Sequence, residues 1–463
     1  MKHKEREMKG CGKKITESGE WLVLGLGASG LAAARLLLAE GRCVTVLESG
    51  DSAALRACAE MLRAEGARVA LGWSCPLNGV FDIAVVSPGV PPKSELFRTV
   101  EACGIPLISE LELGWSRLRA PVLAVTGSNG KSTAVKWLSE ILLDAGKTVV
   151  IGGNYGRPVS DIAMEKTDFD WILLEVSSFQ LATVREFRPD IGILLNMLPN
   201  HLDWHGDMSA YRDAKMRLFE NIFPDDLCIL PFEMVSKTGV RQKLLSTFGV
   251  SADADWQFKD GAVWKNEGGV AHLAVNLRGS YFDNEIFGVS AAAITAAVKA
   301  CGVDSRHIEN AARLFEPLPH RMQRVAEIDG VVFVNDSKAT NLAALEAALR
   351  MTGSSLRLIA GGRAKESDFV AVCEALSGVR AVYLIGEAMD AMSRAWSEVI
   401  NCIDCTTLSV AVERAWNDAV RGETILLAPG CASFDQFVSF EERGDFFIQL
   451  IKNLQKKNNC EIN

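Results

Sequence analysis

Thr126-Gly127-Ser128-Asn129-Gly130-Lys131-Ser132-Thr133 follows an apolar run at residues 121–125 and precedes an amphipathic segment at 134–143. The order is strand, glycine loop, helix. Backbone N–H groups at a helix N-terminus suit phosphate oxygens. Lys131 adds a point charge, and the Ser132 hydroxyl is a hard ligand for Mg²⁺. The common nucleotide loop places its glycines five residues apart; here Gly127 and Gly130 are three apart, a shortened variant. An ordinary glycine turn has no need of Gly-Lys-Ser-Thr at a strand–helix junction. The stretch points to ATP or GTP.

Outward from this loop, apolar strand-length runs alternate with helix-length amphipathic segments, which predicts an α/β chain. The 463 residues suit about three domains. Expected strands fall at 21–26, 43–47, 68–71, 83–86 and 106–108 in a block 1–118. A second block, 119–316, holds the phosphate loop and strands at 148–151, 171–176, 191–195 and 227–230. A third, 317–463, holds strands at 331–335, 356–360, 381–385 and 424–428. Pro317-Leu318-Pro319 marks the second junction. Residues 1–18 read as a polar, poorly ordered lead-in.

The chain is 48% hydrophobic and 23% charged, as in soluble globular proteins, and its net charge of −9 argues against a nucleic-acid partner. No run approaches a membrane span. Twelve cysteines without regular spacing suggest free thiols in a reducing compartment, hence a cytoplasmic protein. Cys402-Ile403-Asp404-Cys405 is a lone CxxC and reads as incidental.

The first block carries a strict GxGxxG, Gly25-Leu26-Gly27-Ala28-Ser29-Gly30, between a strand and a helix. Glu48 ends the next strand at a spacing that suits a ribose hydroxyl. The physical content is a tight turn and a helix N-terminus facing any nucleotide diphosphate. Ser87-Pro88-Gly89-Val90-Pro91-Pro92 adds a loop at the same sheet edge.

In the second block Glu175 ends an apolar strand, where a carboxylate near Ser132 makes a hard-metal pair. Asn154, after another strand, reads as a turn former. Asn200-His201-Leu202-Asp203-Trp204-His205 hints at metal or phosphate contact. Lys215, fourteen residues after His201, reads as a solvated surface lysine.

In the third block Asn335-Asp336-Ser337-Lys338-Ala339-Thr340-Asn341 is more polar than helix capping requires. His320-Arg321 follows the proline hinge, and Gly361-Gly362-Arg363-Ala364-Lys365 and 429–437 are further strand-end loops. Loops at the carboxyl ends of strands form the ligand crevice of open α/β sheets. Lys338, Lys365 and Ser433 there suit a small carboxylate.

Together these segments resemble the Mur ligases of peptidoglycan synthesis. The resemblance runs from Gly25 to Arg443; Asp336–Asn341 and Ala432–Phe437 are similar to the branch that adds D-glutamate. It implies three domains: N-terminal Rossmann-like, a central P-loop-type ATPase with a parallel sheet, and C-terminal Rossmann-like. It implies that Gly27, Ala28, Ser29, Glu48, Ser49, Gly89 and Asn154 bind the UDP part of UDP-N-acetylmuramoyl-L-alanine. Gly127, Ser128, Asn129, Gly130, Lys131, Ser132 and Thr133 would hold ATP, with Arg321 and Asp336. Ser132, Glu175, His201 and a carbamylated Lys215 would ligate Mg²⁺, two ions in all. Lys338, Thr340, Lys365, Ser433, Phe434 and Phe440 would surround D-glutamate. Lys131, His201, Lys215 and Lys338 would be the catalytic set, in an expected monomer. In the implied reaction the alanyl carboxylate attacks the γ-phosphate, and the amine of D-glutamate then displaces phosphate from the acyl phosphate.

Three positions and one segment depart from the family pattern. Asn200 replaces an Asp before the matched histidine, and Glu48 replaces a shorter Asp. Ala364 stands where a polar residue is common. Ser280-Tyr281-Phe282-Asp283-Asn284 replaces a His-Asn adenine contact, leaving stacking on Tyr281 or Phe282 as one substitute. A folylpolyglutamate synthetase lacks the N-terminal GxGxxG module. An NAD-dependent oxidoreductase leaves the phosphate loop unexplained. A nucleotide-binding switch predicts ATP binding without turnover.

Overall fold

The computed structural model describes residues 19–74, 76–238 and 244–461; the lead-in expected at 1–18 lies outside them. Three sheets follow one another along the chain. The first contains β1 (Glu20–Leu24), β2 (Cys43–Leu47), β3 (Arg68–Ala70), β4 (Ile83–Val86) and β5 (Leu107–Ser109), all parallel, in the order β3-β2-β1-β4-β5. Alternation along β1 sends Trp21 and Val23 into one core and Leu22 and Leu24 into another. Both faces are therefore buried, as a parallel sheet covered by helices requires. The order reverses beside β1, which opens a crevice between β1 and β4.

The second sheet contains β6 (Val122–Thr126), β7 (Val149–Gly153), β8 (Trp171–Glu175), β9 (Ile191–Leu194), β10 (Leu227–Pro231), β11 (Leu245–Gly249), β12 (Trp256–Lys259), β13 (Ala262–Glu267) and β14 (Val270–Asn276), in the order β14-β13-β12-β11-β10-β9-β6-β8-β7. β12, β13 and β14 form an antiparallel meander. The sequence reading contained none of β11 to β14, although the turns Asp260-Gly261 and Gly268-Gly269 are two-residue hairpin signals. Asp260 and Gly261 have φ of 51° and 70°, as a type I′ turn demands.

The third sheet contains β15 (Gln323–Ile328), β16 (Val331–Asn335), β17 (Leu356–Gly361), β18 (Val379–Ile385), β19 (Cys402–Thr406) and β20 (Thr424–Leu427), in the order β15-β16-β20-β17-β18-β19. Only β15 is antiparallel, joined to β16 through Asp329-Gly330. β15 and β19 also escaped the sequence reading. Cys402 and Cys405 lie on β19 and pack into cores on opposite faces of the sheet, so they do not form a chelating pair.

The chain divides into two compact units. One holds the first two sheets, up to Met197 and from Trp204 to Leu314; the other holds Leu198–Asp203 and the chain from Phe315 onward. Within the first unit, helix Glu110–Trp115 fastens the first sheet to the second. Glu112 accepts backbone N–H groups from Arg185 (3.0 Å), Glu186 (2.9 Å) and Phe187 (3.0 Å). Burial nevertheless raises its pKa, outweighing those hydrogen bonds. Glu112→Ala strands three donors at once and is expected to lower stability by about 2–4 kcal/mol. Urea unfolding checks this, and a loss under about 1 kcal/mol would contradict it.

No helix among the described residues is long and apolar enough to cross a membrane.

Candidate functional site

The crevice beside β1 is a cavity of about 510 Å³. It is lined by Gly27, Ala28 and Ser29 after β1, Glu48 and Ser49 after β2, Gly89 after β4, and Asn154 after β7. All seven residues expected to face the UDP part thus line one cavity. Gly30 is indispensable to the turn: a Cβ there would lie 2.0 Å from Gly25 O. Glu48 is already engaged, accepting Leu26 N at 2.8 Å and Gly50 N at 2.7 Å. It ties the glycine loop after β1 to the turn after β2, a role that the ribose reading did not contain.

The phosphate loop leaves β6 and opens helix Lys131–Asp144, with Gly130 in the left-handed region at φ 82°. Asn196, at the end of the neighbouring β9, holds the loop through Ser128 N (2.9 Å) and Asn129 N (3.0 Å). Lys131 Nζ donates to Gly127 O (2.8 Å) and Ser128 O (3.1 Å) of the loop. Ser132 Oγ donates to Glu175 Oε2 at 2.5 Å, and Asn154 Nδ2 donates to Glu175 Oε1 at 2.6 Å. Glu175 is buried, and it is the junction between the cavity and the phosphate loop. Asn154 is therefore no mere turn former.

Lys215 overturns its reading as a surface residue: it is 1% exposed. Its Nζ donates to Gly127 O at 2.8 Å and lies 4.7 Å from the centre of the Tyr211 ring. Burial, and then the nearby Lys131 charge, hold its pKa well below the usual lysine value, although Glu175 acts the other way. The shift favours the neutral amine over the ammonium. Tyr211, which the sequence reading missed, also meets Ser128 Oγ at 3.0 Å. Its position four residues before Lys215, one helical turn, was the available signal.

His205 Nε2 lies 2.9 Å from Ser178 Oγ, and its ring stacks on Phe179. Asn200 is buried and His201 half-buried; both belong to the second unit, where His201 has φ 55°. The proposed adenine platform at Phe282 is corrected: that ring is 1% exposed and stacks on Trp137 at 3.8 Å, within the core. Asn284 caps helix Glu285–Ala300.

In the second unit the loops after β16, β20 and β17 leave three adjacent parallel strands. Gly430 N donates to Ala339 O (2.8 Å) and Arg363 N to Ala432 O (2.9 Å), joining the loops. Lys338 Nζ lies 3.7 Å from the centre of the Phe440 ring. Ser433 is buried, Thr340 and Lys365 are half-buried, and Phe434 is 62% exposed. Asp336 accepts Met322 N at 3.0 Å; burial raises its pKa to about 6 against the pull of Arg321. Arg443, which the sequence reading used only as an end-point, is buried with Nε on Ser337 Oγ (3.0 Å) and Nη2 on Ser337 O and Cys431 O. It braces the two loops that carry Lys338 and Ser433.

Three family models match the chain: the MurD-like N-terminal domain of Mur ligases over residues 19–109, the Mur ligase middle domain over 125–301, and the Mur ligase glutamate ligase domain over 320–431. The UDP-N-acetylmuramoylalanine–D-glutamate ligase of Pelotomaculum thermopropionicum is 36% identical over 451 residues, covering 94% of this chain and 98% of the relative. The ligase of the same name from Myxococcus xanthus is 36% identical over 447 residues, with the same two coverages of 94% and 98%. Two solved structures share the fold. UDP-N-acetylmuramate-alanine ligase from Thermotoga maritima has a TM-score of 0.59 at 16% identity, covering 94% of this chain and 99% of that one. MurF ligase from Thermotoga maritima in complex with ADP has a TM-score of 0.59 at 15% identity, covering 90% and 95%. By its domain models and its near-full-length relatives, the chain belongs to the Mur ligase family.

Proposed function

We propose that the chain joins D-glutamate to UDP-N-acetylmuramoyl-L-alanine with cleavage of ATP to ADP and phosphate, a cytoplasmic step of peptidoglycan synthesis. We assign residues 1–118 to the UDP substrate, 119–316 to ATP and 317–463 to the amino acid. The supporting observation is Glu175: one oxygen meets Asn154 at the wall of the cavity, and the other meets Ser132 of the phosphate loop. A substrate whose diphosphate rests on the Gly27–Ser29 turn would bring its far end toward the terminal phosphate of ATP.

A carboxylate is a poor acyl donor because oxide would have to leave. An oxygen of the alanyl carboxylate attacks the γ-phosphorus, and ADP departs. The amine of D-glutamate, having lost a proton, attacks the carbonyl carbon of the acyl phosphate. The tetrahedral intermediate collapses to the amide and expels phosphate. Lys131 offsets the charge that shifts between the phosphates. Ser132 and Glu175, hydrogen-bonded to each other at 2.5 Å, are hard oxygen donors of the kind that suits a small divalent cation. Mg²⁺, when bound there with a carbamylated Lys215 as a further ligand, would neutralise triphosphate charge. Lys338, Thr340, Lys365, Ser433, Phe434 and Phe440 are assigned to D-glutamate.

Phosphate release tests the reading. With ATP, Mg²⁺ and the UDP substrate, release is expected only when D-glutamate is added, and not with L-glutamate. Release with another amino acid would change the acceptor. ATP binding without release in any mixture would favour a nucleotide switch instead.

A further inference from the structure

Trp73 was given no role by the sequence reading. It stands just past the end of β3, after Gly72, whose φ of 60° turns the chain back toward the end of β2. Two backbone hydrogen bonds fix it there: Gly72 N donates to Gly50 O (3.1 Å) and Trp73 N donates to Glu48 O (3.0 Å). The side chain is half-buried. It packs against the core cluster that holds Leu47 and Phe81, and it also lines the cavity that holds Glu48 and Ser49. Among the described residues that line this cavity, it is the one aromatic ring.

The sheet order gives the cavity a direction, because β1, β2 and β3 are successive neighbours. The Gly27–Ser29 turn follows β1 and opens helix Ala28–Ala39, the place for a diphosphate. Glu48 and Ser49 follow β2, one strand further out, and Trp73 follows β3, one strand further again. A nucleoside diphosphate has the same three parts in the same order: diphosphate, ribose, base. With its phosphates on the β1 turn and its ribose along the β2 turn, its base falls at the end of β3. Asn154, the partner of Glu175, gives the acyl end of the molecule a separate place in the same cavity.

We propose that Trp73 is the stacking platform for the pyrimidine base of the UDP substrate, and so a determinant of that substrate's affinity. This rests on the assignment of the cavity to that substrate. The physical case is preorganisation. An indole already packed on a core offers its remaining surface to a flat base with little further loss of side-chain freedom. Stacking on an aromatic ring needs only the π-face that every base has. Trp73 therefore supplies grip on a nucleotide, and the choice of uracil over another base falls to polar groups. A tryptophan that merely filled the cavity wall would instead affect every ligand of the cavity alike.

The test uses the full chain and two acyl substrates: UDP-N-acetylmuramoyl-L-alanine, and 1-phospho-N-acetylmuramoyl-L-alanine, which lacks the uridine monophosphate part. UDP is titrated as an inhibitor. Trp73→Leu keeps apolar packing and removes the ring. It is expected to raise KM for the UDP substrate and the inhibition constant of UDP by about tenfold, the usual scale for one lost base stack. KM for ATP and kcat/KM for the 1-phospho substrate are expected to stay at wild-type values. Trp73→Phe, which keeps a ring, is expected to recover most of the loss. In a second readout, UDP binding is expected to quench the tryptophan fluorescence of the wild type and to leave that of Trp73→Phe nearly unchanged. Equal losses with both acyl substrates, wild-type UDP affinity in Trp73→Leu, or full quenching in Trp73→Phe each overturn the inference and leave the function standing. A folded wild type that releases no phosphate with either acyl substrate overturns both.

Discussion

Lys131→Ala is expected to lower kcat for phosphate release by on the order of 10²–10³-fold, the usual cost of removing one preorganised electrostatic stabiliser. The ammonium is held by two loop carbonyls, Gly127 O and Ser128 O. It is therefore already held at the loop assigned to the phosphates. The substitution leaves the Asn196 brackets on Ser128 and Asn129 intact, so the loop should keep its shape. Thermal unfolding close to that of the wild type, together with the kinetic loss, would separate chemistry from folding. Turnover near the wild-type rate would remove Lys131 from the mechanism.

Lys215→Ala is expected to lose activity by on the order of 10²-fold or more, with partial recovery on adding a short carboxylate such as acetate. Burial favours the neutral amine, whose nitrogen can attack CO₂, form an N–C bond and release a proton. The resulting carbamate would present oxygen toward Ser132 and Glu175, where an ammonium presents only hydrogens. A small free acid can fill the space that the truncated side chain vacates and restore an oxygen donor. Recovery as a function of acetate concentration is the measurement. Full activity without acetate would make Lys215 a packing residue, and total loss without recovery would argue for a positional role through Gly127.

The reading from sequence succeeded where chemistry is carried by short contiguous runs. Strand–glycine loop–helix at 121–143, the GxGxxG at 25–30 and the polar turn at 335–341 each fold locally, and each lies where the pattern placed it. Six of the seven expected cavity residues converge because loops from the neighbouring parallel strands β2, β1 and β4 meet at one sheet edge, and Asn154 joins them from the second sheet. It failed where the deciding fact is tertiary. Lys215 lies on a short helix whose only local signal is a mixed surface, and its burial comes from β6 and the phosphate loop. Glu110 and Glu112 stand in Glu-Leu-Glu-Leu, an ordinary exposed-face pattern, until segments 159–160 and 185–187 cover them. Phe282 looked available for stacking because nothing local shows that Trp137 lies beneath it. The meander β12–β14 and strand β15 are a different failure. Their Asp-Gly and Gly-Gly turns were legible, but polar, half-exposed strands carry weak periodicity and were passed over.

The central claim is that this chain activates the alanyl carboxylate as an acyl phosphate and transfers it to D-glutamate. The most direct measurement uses UDP-N-acetylmuramoyl-L-alanine labelled with ¹⁸O in both carboxylate oxygens, with unlabelled ATP, Mg²⁺ and D-glutamate. The account predicts that each turnover yields inorganic phosphate carrying one ¹⁸O, and an amide product retaining the other. Unlabelled phosphate, or labelled substrate recovered intact while ATP is consumed, would contradict it.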